Sequence, residues 1–209
     1  MKLTEILIGT TSRDKIREIR QILSGLPVSI VTPKRETVFP HVDENGRTFT
    51  DNACKKALAF ARHFGVPVMA EDSGLEVDSL DGRPGVHSHR YAGPESTDAE
   101  NNLKLLAELE GTPSVRRTAR YHSVVALAKP DQIILTAEGV CEGRITERPA
   151  GSGGFGYDPL FYFPPFGKTF GQVEPTLKNK VSHRARALQL FRQRLIELLA
   201  EPSQTTQTD

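Results

Sequence analysis

The stretch Thr48–Val77, TFTDNACKKALAFARHFGVPVMAEDSGLEV, holds a helix, its stop and a strand in succession. Phe49, Ala53, Ala57, Phe60 and Phe64 recur at spacings of four and three, which puts them on one face of a helix starting near Thr48. Gly65 ends it, because glycine accepts the left-handed backbone that closes a helix. Val66–Ala70 is an apolar run of strand length whose C-terminal end delivers Glu71-Asp72-Ser73-Gly74. Leu75 and Val77 alternate with an acid, the pattern of another strand. In open α/β sheets, ligands gather beyond the carboxyl ends of strands, so the acids here are candidates for chemistry.

Upstream, Ile6–Gly9 reads as a buried first strand. Ser12 can cap a helix from Arg13 that carries Ile16, Ile19 and Leu23 inward and stops at Gly25. Val28–Val31 is the next strand, and 33–46 is polar and irregular. Downstream, Asp81-Gly82 and Pro84-Gly85 are turn signals. Thr97 and Glu100 form a capping box for a helix with Leu103, Leu106 and Leu109 inward, closed by Gly111. Tyr121–Ala128 and Ile133–Val140 pattern as strands joined at Pro130-Asp131. The last helix runs from about Ser182 to Ala200, with Leu188, Phe191, Leu195 and Leu198 on one face. Early alternation of strands and helices, followed by a β-rich middle, predicts an α/β fold with a mixed sheet. Residues 1–200 read as a single domain, and 201–209 have the composition of a disordered tail.

Composition narrows the function. Basic and acidic residues number 27 and 26, so no global field would recruit DNA or an anionic membrane, and an anionic ligand needs a local cation cluster. Cys54 and Cys141 are far apart and in no metal-ligand spacing, which predicts reduced thiols in the cytoplasm. The N-terminus lacks the long apolar core of a signal peptide, and no segment is apolar enough to span a bilayer.

Four patches could do chemistry. Thr10-Thr11-Ser12-Arg13-Asp14-Lys15 follows a strand and opens a helix; its hydroxyls, backbone N–H groups and lysine suit phosphate, and they equally suit a plain cap with surface charge. Asp43-Glu44 and Glu71-Asp72 offer the few carboxylates that magnesium prefers, or ordinary turn chemistry. Gly151–Pro159, GSGGFGYDP, lets backbone approach a ligand while Phe155 and Tyr157 cover a flat base and Asp158 accepts hydrogen bonds; alternatively its aromatics are core anchors. In Lys178-Asn179-Lys180-Val181-Ser182-His183-Arg184, cations crowd a helix start whose dipole favours an anion, or they form a solvated basic end.

In this order, the patches resemble the inosine/xanthosine triphosphate pyrophosphatase family. The likeness runs from Ile6 to about Leu199 and is strongest at Thr48-Phe49 with Asn52-Ala53, Asp72-Ser73-Gly74-Leu75, Arg90-Tyr91-Ala92-Gly93, Gly153–Pro159 and Ser182-His183-Arg184. The resemblance implies an elongated mixed sheet flanked by helices, with two lobes around a substrate cleft, usually as a homodimer. It implies Mg²⁺-dependent cleavage between the α- and β-phosphates of ITP, dITP and XTP. Residues Thr10, Thr11, Ser12, Arg13, Asp14 and Lys15 would then hold the triphosphate, and Glu44 and Asp72 the metal. Asp72 would also accept the proton, and Ser73 would touch substrate. Phe155, Gly156, Tyr157, Asp158, Lys178, His183 and Arg184 would surround the nucleoside.

Hypoxanthine and xanthine present a 6-oxo acceptor where adenine presents a donor, so the donors His183 and Arg184 would leave adenine unpaired. The chain departs from the family where Thr11-Ser12 replaces Gly-Asn, where Gln172 stands near a usual glutamate, and where Leu177 replaces an acid before Lys178. A non-catalytic nucleotide-binding relative, or a pyrophosphatase for other modified nucleotides, is the competing reading.

Overall fold

One uninterrupted strand, β3 (Val68–Val77), carries the acids of the quoted stretch through the sheet. The computed structural model describes residues 3–200, so the 201–209 tail lies outside the described residues. Among the described residues the sheet order is β2-β1-β3-β4-β5-β6-β7. On one side of β3 lie β1 (Glu5–Ile8) and β2 (Ser29–Val31), both parallel. On the other side, antiparallel, come β4 (Thr118–Lys129), β5 (Gln132–Ile145), β6 (Phe161–Phe163) and β7 (Lys168–Thr169). The helices are α1 (Arg13–Ile22), α2 (Phe49–Phe64), α3 (Asp98–Glu108), α4 (Pro175–Val181) and α5 (His183–Ala200).

The expected break between Val66–Ala70 and Leu75-Val77 does not exist. Asp72, Ser73 and Gly74 favour turns, yet β4 pairs with every residue from Val68 to Val77 and the ladder holds them extended. Strand period then sorts the side chains. Val68 and Ala70 pack under Phe49, Ala53, Ala57 and Phe60 of α2. Met69 faces the other way, into a cluster with Ile19 of α1 and Leu188, Phe191 and Leu195 of α5. Full burial of each of those large α5 side chains contributes about 1.5–3 kcal/mol.

Helix ends follow local chemistry. Thr48 and Asp51 exchange both bonds of a capping box at the start of α2, and Gly65 closes it in the left-handed region at φ 68°. The Thr97–Glu100 box forms as expected at α3. The inward face of α3 differs from the expected one: Leu103 is 66% exposed, while Asn101, Leu105 and Leu109 are buried. Asn101 sets this phase by accepting from Ala92 N–H at 2.8 Å and donating to His89 C=O at 3.1 Å. Leu198, expected inward, is partly exposed near the end of α5. Strands β6 and β7 and helix α4 had no clear periodic signal, being 3, 2 and 7 residues long.

Gly139 on β5 lets α5 approach the sheet closely. A Cβ there would collide with the backbone of His183 and Ala187. This contact seats the first turn of α5 on the sheet and so fixes where His183 and Arg184 stand. Among the described residues, no helix is long and apolar enough to cross a membrane.

Candidate active site

The pairing of β1 with β3 ends at Ile8–Met69, extended only by Gly9 N–H to Met69 C=O at 2.7 Å. Beyond that point Ala70 and Glu71 of β3 border a cleft. A cavity of ≈ 200 Å³ opens there, with Thr10, Lys15, Glu44, Lys56 and Glu71 among its lining residues. The cleft thus lies where a parallel strand stops and its neighbour continues, and not beyond the end of β3.

Because β3 is continuous, Glu71 and Asp72 point to opposite faces of the sheet. Asp72 faces α2, where Lys56 Nζ bonds its Oδ1 at 3.0 Å and Glu44 Oε2 at 3.1 Å. Glu44 comes from an irregular loop whose Glu44 C=O accepts from Arg90 Nη2 at 2.8 Å. Burial is the largest single influence on Glu44 and works to raise its pKa, but the charge and hydrogen bond of Lys56, with help from Asp72 and Arg90, together hold the carboxylate below its ordinary range. Asp72 is more deeply buried, and burial together with the Glu44 charge leaves its pKa raised despite Lys56. Asp72 Oδ2 is buried without a hydrogen-bond partner.

On the other face, Glu71 is buried in a basic cage. Arg184 Nε donates to its two oxygens at 2.8 and 3.0 Å, Ser123 Oγ donates at 2.9 Å, and Lys15 Nζ lies 3.6 Å away. Burial alone would raise its pKa; Arg184 and Lys15 drive it well below the usual carboxylate range. Arg184 Nη1 donates to Glu18 at 3.0 Å, and its Nη2 has no hydrogen bond among the described residues.

Phe155, 42% exposed, is the aromatic surface of the glycine-rich segment; its ring lies 4.5 Å from Lys178 Nζ and 5.4 Å from Arg184 Cζ. Asp158 is buried and engaged throughout: Oδ2 accepts from Phe155 N–H at 2.9 Å and from Lys178, and Oδ1 from Tyr121 at 3.2 Å. Gly156 is pinned from α3, its N–H by Asp98 at 2.6 Å and its C=O by Asn102 at 2.8 Å. Tyr157 does not cover a base. Its ring is buried and its hydroxyl donates to Ser88 C=O at 2.8 Å, which makes it a core anchor. His183 stacks on Tyr121 with centroids 4.6 Å apart, and burial together with Arg184 lowers its pKa well below the ordinary value, so it is neutral.

The first loop is only partly built as expected. Ser12 occupies the N-cap position of α1 without making a cap bond; its own N–H donates to Thr10 Oγ1 at 3.2 Å. Thr11, Ser12 and Arg13 are exposed, and Asp14 pairs with Arg17 at 3.5 Å on the surface. Only Thr10 and Lys15 line the cavity. Ser73 sits two residues past Glu71 on the same face and is half-buried. Gln172 accepts from Thr169 N–H at 3.1 Å in a small cap that a glutamate would make equally, and Leu177 is 42% exposed.

Lys56 had no role in the sequence, and Glu71 figured there only within the acidic pair offered to magnesium, not as the partner of Arg184. Lys56 lies one turn after the buried Asn52 on α2, beside the Ala53–Ala57 stripe; a polar pair at that spacing was the available signal. Among the described residues, no group of three or more His, Cys, Asp or Glu could hold a metal by itself. Two hard carboxylates converging on one cation, with an orphaned buried oxygen on Asp72, fit a metal that takes its remaining ligands from water and phosphate.

Comparison with known proteins places the chain in a family. The Ham1 family model matches residues 6–194. The dITP/XTP pyrophosphatase of Desulforamulus reducens is 47% identical over 88% of this chain and 92% of its own. That of Syntrophobacter fumaroxidans is 50% identical over 88% of this chain and 78% of its own. The solved HAM1 protein from Coxiella burnetii superimposes with a TM-score of 0.86 at 38% identity, over 93% of this chain and 99% of that one. With the match running from β1 into α5 and through every element that borders the cleft, the chain belongs to the Ham1 family.

Proposed function

We propose that the protein hydrolyses non-standard purine nucleoside triphosphates, ITP, dITP and XTP, to the monophosphate and pyrophosphate, using Mg²⁺. The observation that carries this is the convergence of Glu44 and Asp72 on one cation, one residue along β3 from the Glu71 that holds Arg184. Curated relatives bearing the dITP/XTP pyrophosphatase name support it.

Glu44 and Asp72 would hold the metal, whose chemistry is to lower the pKa of water and neutralise charge on the departing pyrophosphate. Asp72 accepts the proton of the attacking water. Lys15 and Lys56 balance phosphate charge along the cavity. Phe155 stacks on the base, and the free Nη2 of Arg184 donates to the 6-oxo group, where adenine offers only another donor. Neutral His183 adds a donor or an acceptor according to its tautomer.

The two halves of the site are read as lobes of one domain, working as a homodimer, and sedimentation measures the assembly. The free thiols of Cys54 and Cys141 suit the cytoplasm. The test of function is a nucleotide panel with Mg²⁺, assayed for pyrophosphate. ITP, dITP and XTP should turn over and ATP and GTP poorly. Equal rates on ATP and ITP, or orthophosphate as first product, would sink the reading.

A further inference from the structure

Asn52 has no exposed surface, and on α2 it stands one turn before Lys56, which binds the two carboxylates assigned to the metal. Its Oδ1 accepts from Gly46 N–H at 2.8 Å, two residues past Glu44 in a loop without regular structure. That bond fixes the amide's orientation and turns Nδ2 inward. There Nδ2 is buried without a hydrogen-bond partner, as is Asp72 Oδ2. Asn52 is near enough to Asp72 for its side chain to act on that carboxylate, opposing in small part the burial that raises its pKa. The loop is built around this contact: a Cβ on Gly46 would stand 2.5 Å from Asn52 Oδ1 and 2.6 Å from Asp51 Cβ.

A buried amide half-satisfied by a loop and half-facing a carboxylate is costly as a mere packing element. An apolar residue would fill α2 at that position more cheaply. Lys56, one turn further along the same helix, already binds both carboxylates, so Asn52 is not needed to supply charge. What Asn52 adds is a hold on the Glu44 loop from a helix that is itself packed against β3.

We propose that Asn52 is a positioning residue that sets the spacing of Glu44 and Asp72, holding the Glu44 loop through Gly46 and steadying Asp72 through its inward-facing amide. It acts on the metal only through those carboxylates, and the proposal rests on the reading of Glu44 and Asp72 as the metal pair. Outer partners of metal ligands typically change affinity by ~10–100-fold when removed.

The test measures Mn²⁺ binding by electron paramagnetic resonance on the full chain, with a non-hydrolysable α,β-methylene ITP present. Asn52→Ala and Gly46→Ala attack the link from its two sides. Each should raise the Mn²⁺ Kd by ~10-fold or more while the metal-free affinity for the analogue stays within about twofold of the parent. The double variant should be no worse than the single ones, because both break one device. Gly46→Ala keeps the α2 core intact and serves if Asn52→Ala fails to fold. Unchanged Mn²⁺ affinity in a folded single variant overturns the proposal, as does full additivity in the pair. Asp72→Asn and Glu44→Gln run alongside. If they also bind Mn²⁺ normally, the metal reading itself has failed; if they lose it while Asn52→Ala does not, only the positioning role has.

Discussion

Arg184 grips Glu71 through a single nitrogen, Nε, at 2.8 and 3.0 Å, and spends Nη1 on Glu18. All three side chains are largely buried, so the pair is both scaffold and recognition device. Arg184→Ala should therefore show two effects. Stability should fall by about 3–5 kcal/mol, since buried Glu71 loses its main partner and keeps only Lys15 and Ser123 beside it. Binding of ITP and XTP analogues should weaken far more than binding of tripolyphosphate, measured at a temperature where the variant is folded. Equal weakening of both would make Arg184 a phosphate ligand instead.

Acid should destabilise the fold in two windows. His183 has a lowered folded pKa, so the unfolded chain binds a proton that the fold refuses once pH drops below the ordinary 6.5. Glu71 has a folded pKa depressed below its ordinary 4.5. Its stabilisation is complete above 4.5 and is lost as pH falls from there toward the folded value. Denaturant midpoints against pH should thus slope down below 6.5 and more steeply below 4.5. His183→Gln should flatten the upper window and Glu71→Gln the lower. A His183→Gln profile parallel to the parent between those values would show that His183 protonates in the fold.

Asp72→Asn keeps size and shape beside Lys56 but removes the charge and the proton acceptor. Turnover on ITP should drop ~10²–10⁴-fold, with circular dichroism unchanged. Near-parental turnover would take Asp72 out of the mechanism.

Much of this architecture was legible because it depends on local signals. The α2 stripe and Gly65 stop, the Thr97–Glu100 box and the apolar α5 face each follow from side chains close in sequence. The continuity of β3 was not legible, since Asp72-Ser73-Gly74 reads as a turn until β4 is seen pairing with it. The opposite facing of Glu71 and Asp72 follows from that continuity and was hidden with it. Phe155 and Tyr157 look alike in sequence; only the distant Ser88 carbonyl shows which one is the anchor. Lys56 belongs to the site because Glu44 is brought to it across 12 residues by a loop with no periodicity.

The last prediction concerns Thr11 and Ser12. An asparagine amide at position 12 would offer donors to phosphate oxygens and an acceptor to backbone N–H groups. Ser12 is shorter, but its hydroxyl is not consumed by a helix cap, so it remains free to donate one bond. Thr11 places a branched side chain at an exposed turn where backbone would approach phosphate. Lys15 lines the cavity and Arg13 stands exposed at the helix start, so charge must supply what short contacts do not. Charge is screened by salt more readily than short hydrogen bonds are. The parent should therefore be active with a KM for ITP that rises steeply with salt. Thr11→Gly with Ser12→Asn should lower KM by roughly tenfold, the worth of one charge-assisted bond of about 1.5 kcal/mol, and flatten the salt dependence. Base preference should not move, because Phe155 and Arg184 are untouched. Steady-state kinetics across a salt series decides it: an unchanged or raised KM in the double variant would mean that the loop has its own solution for phosphate or does not touch it.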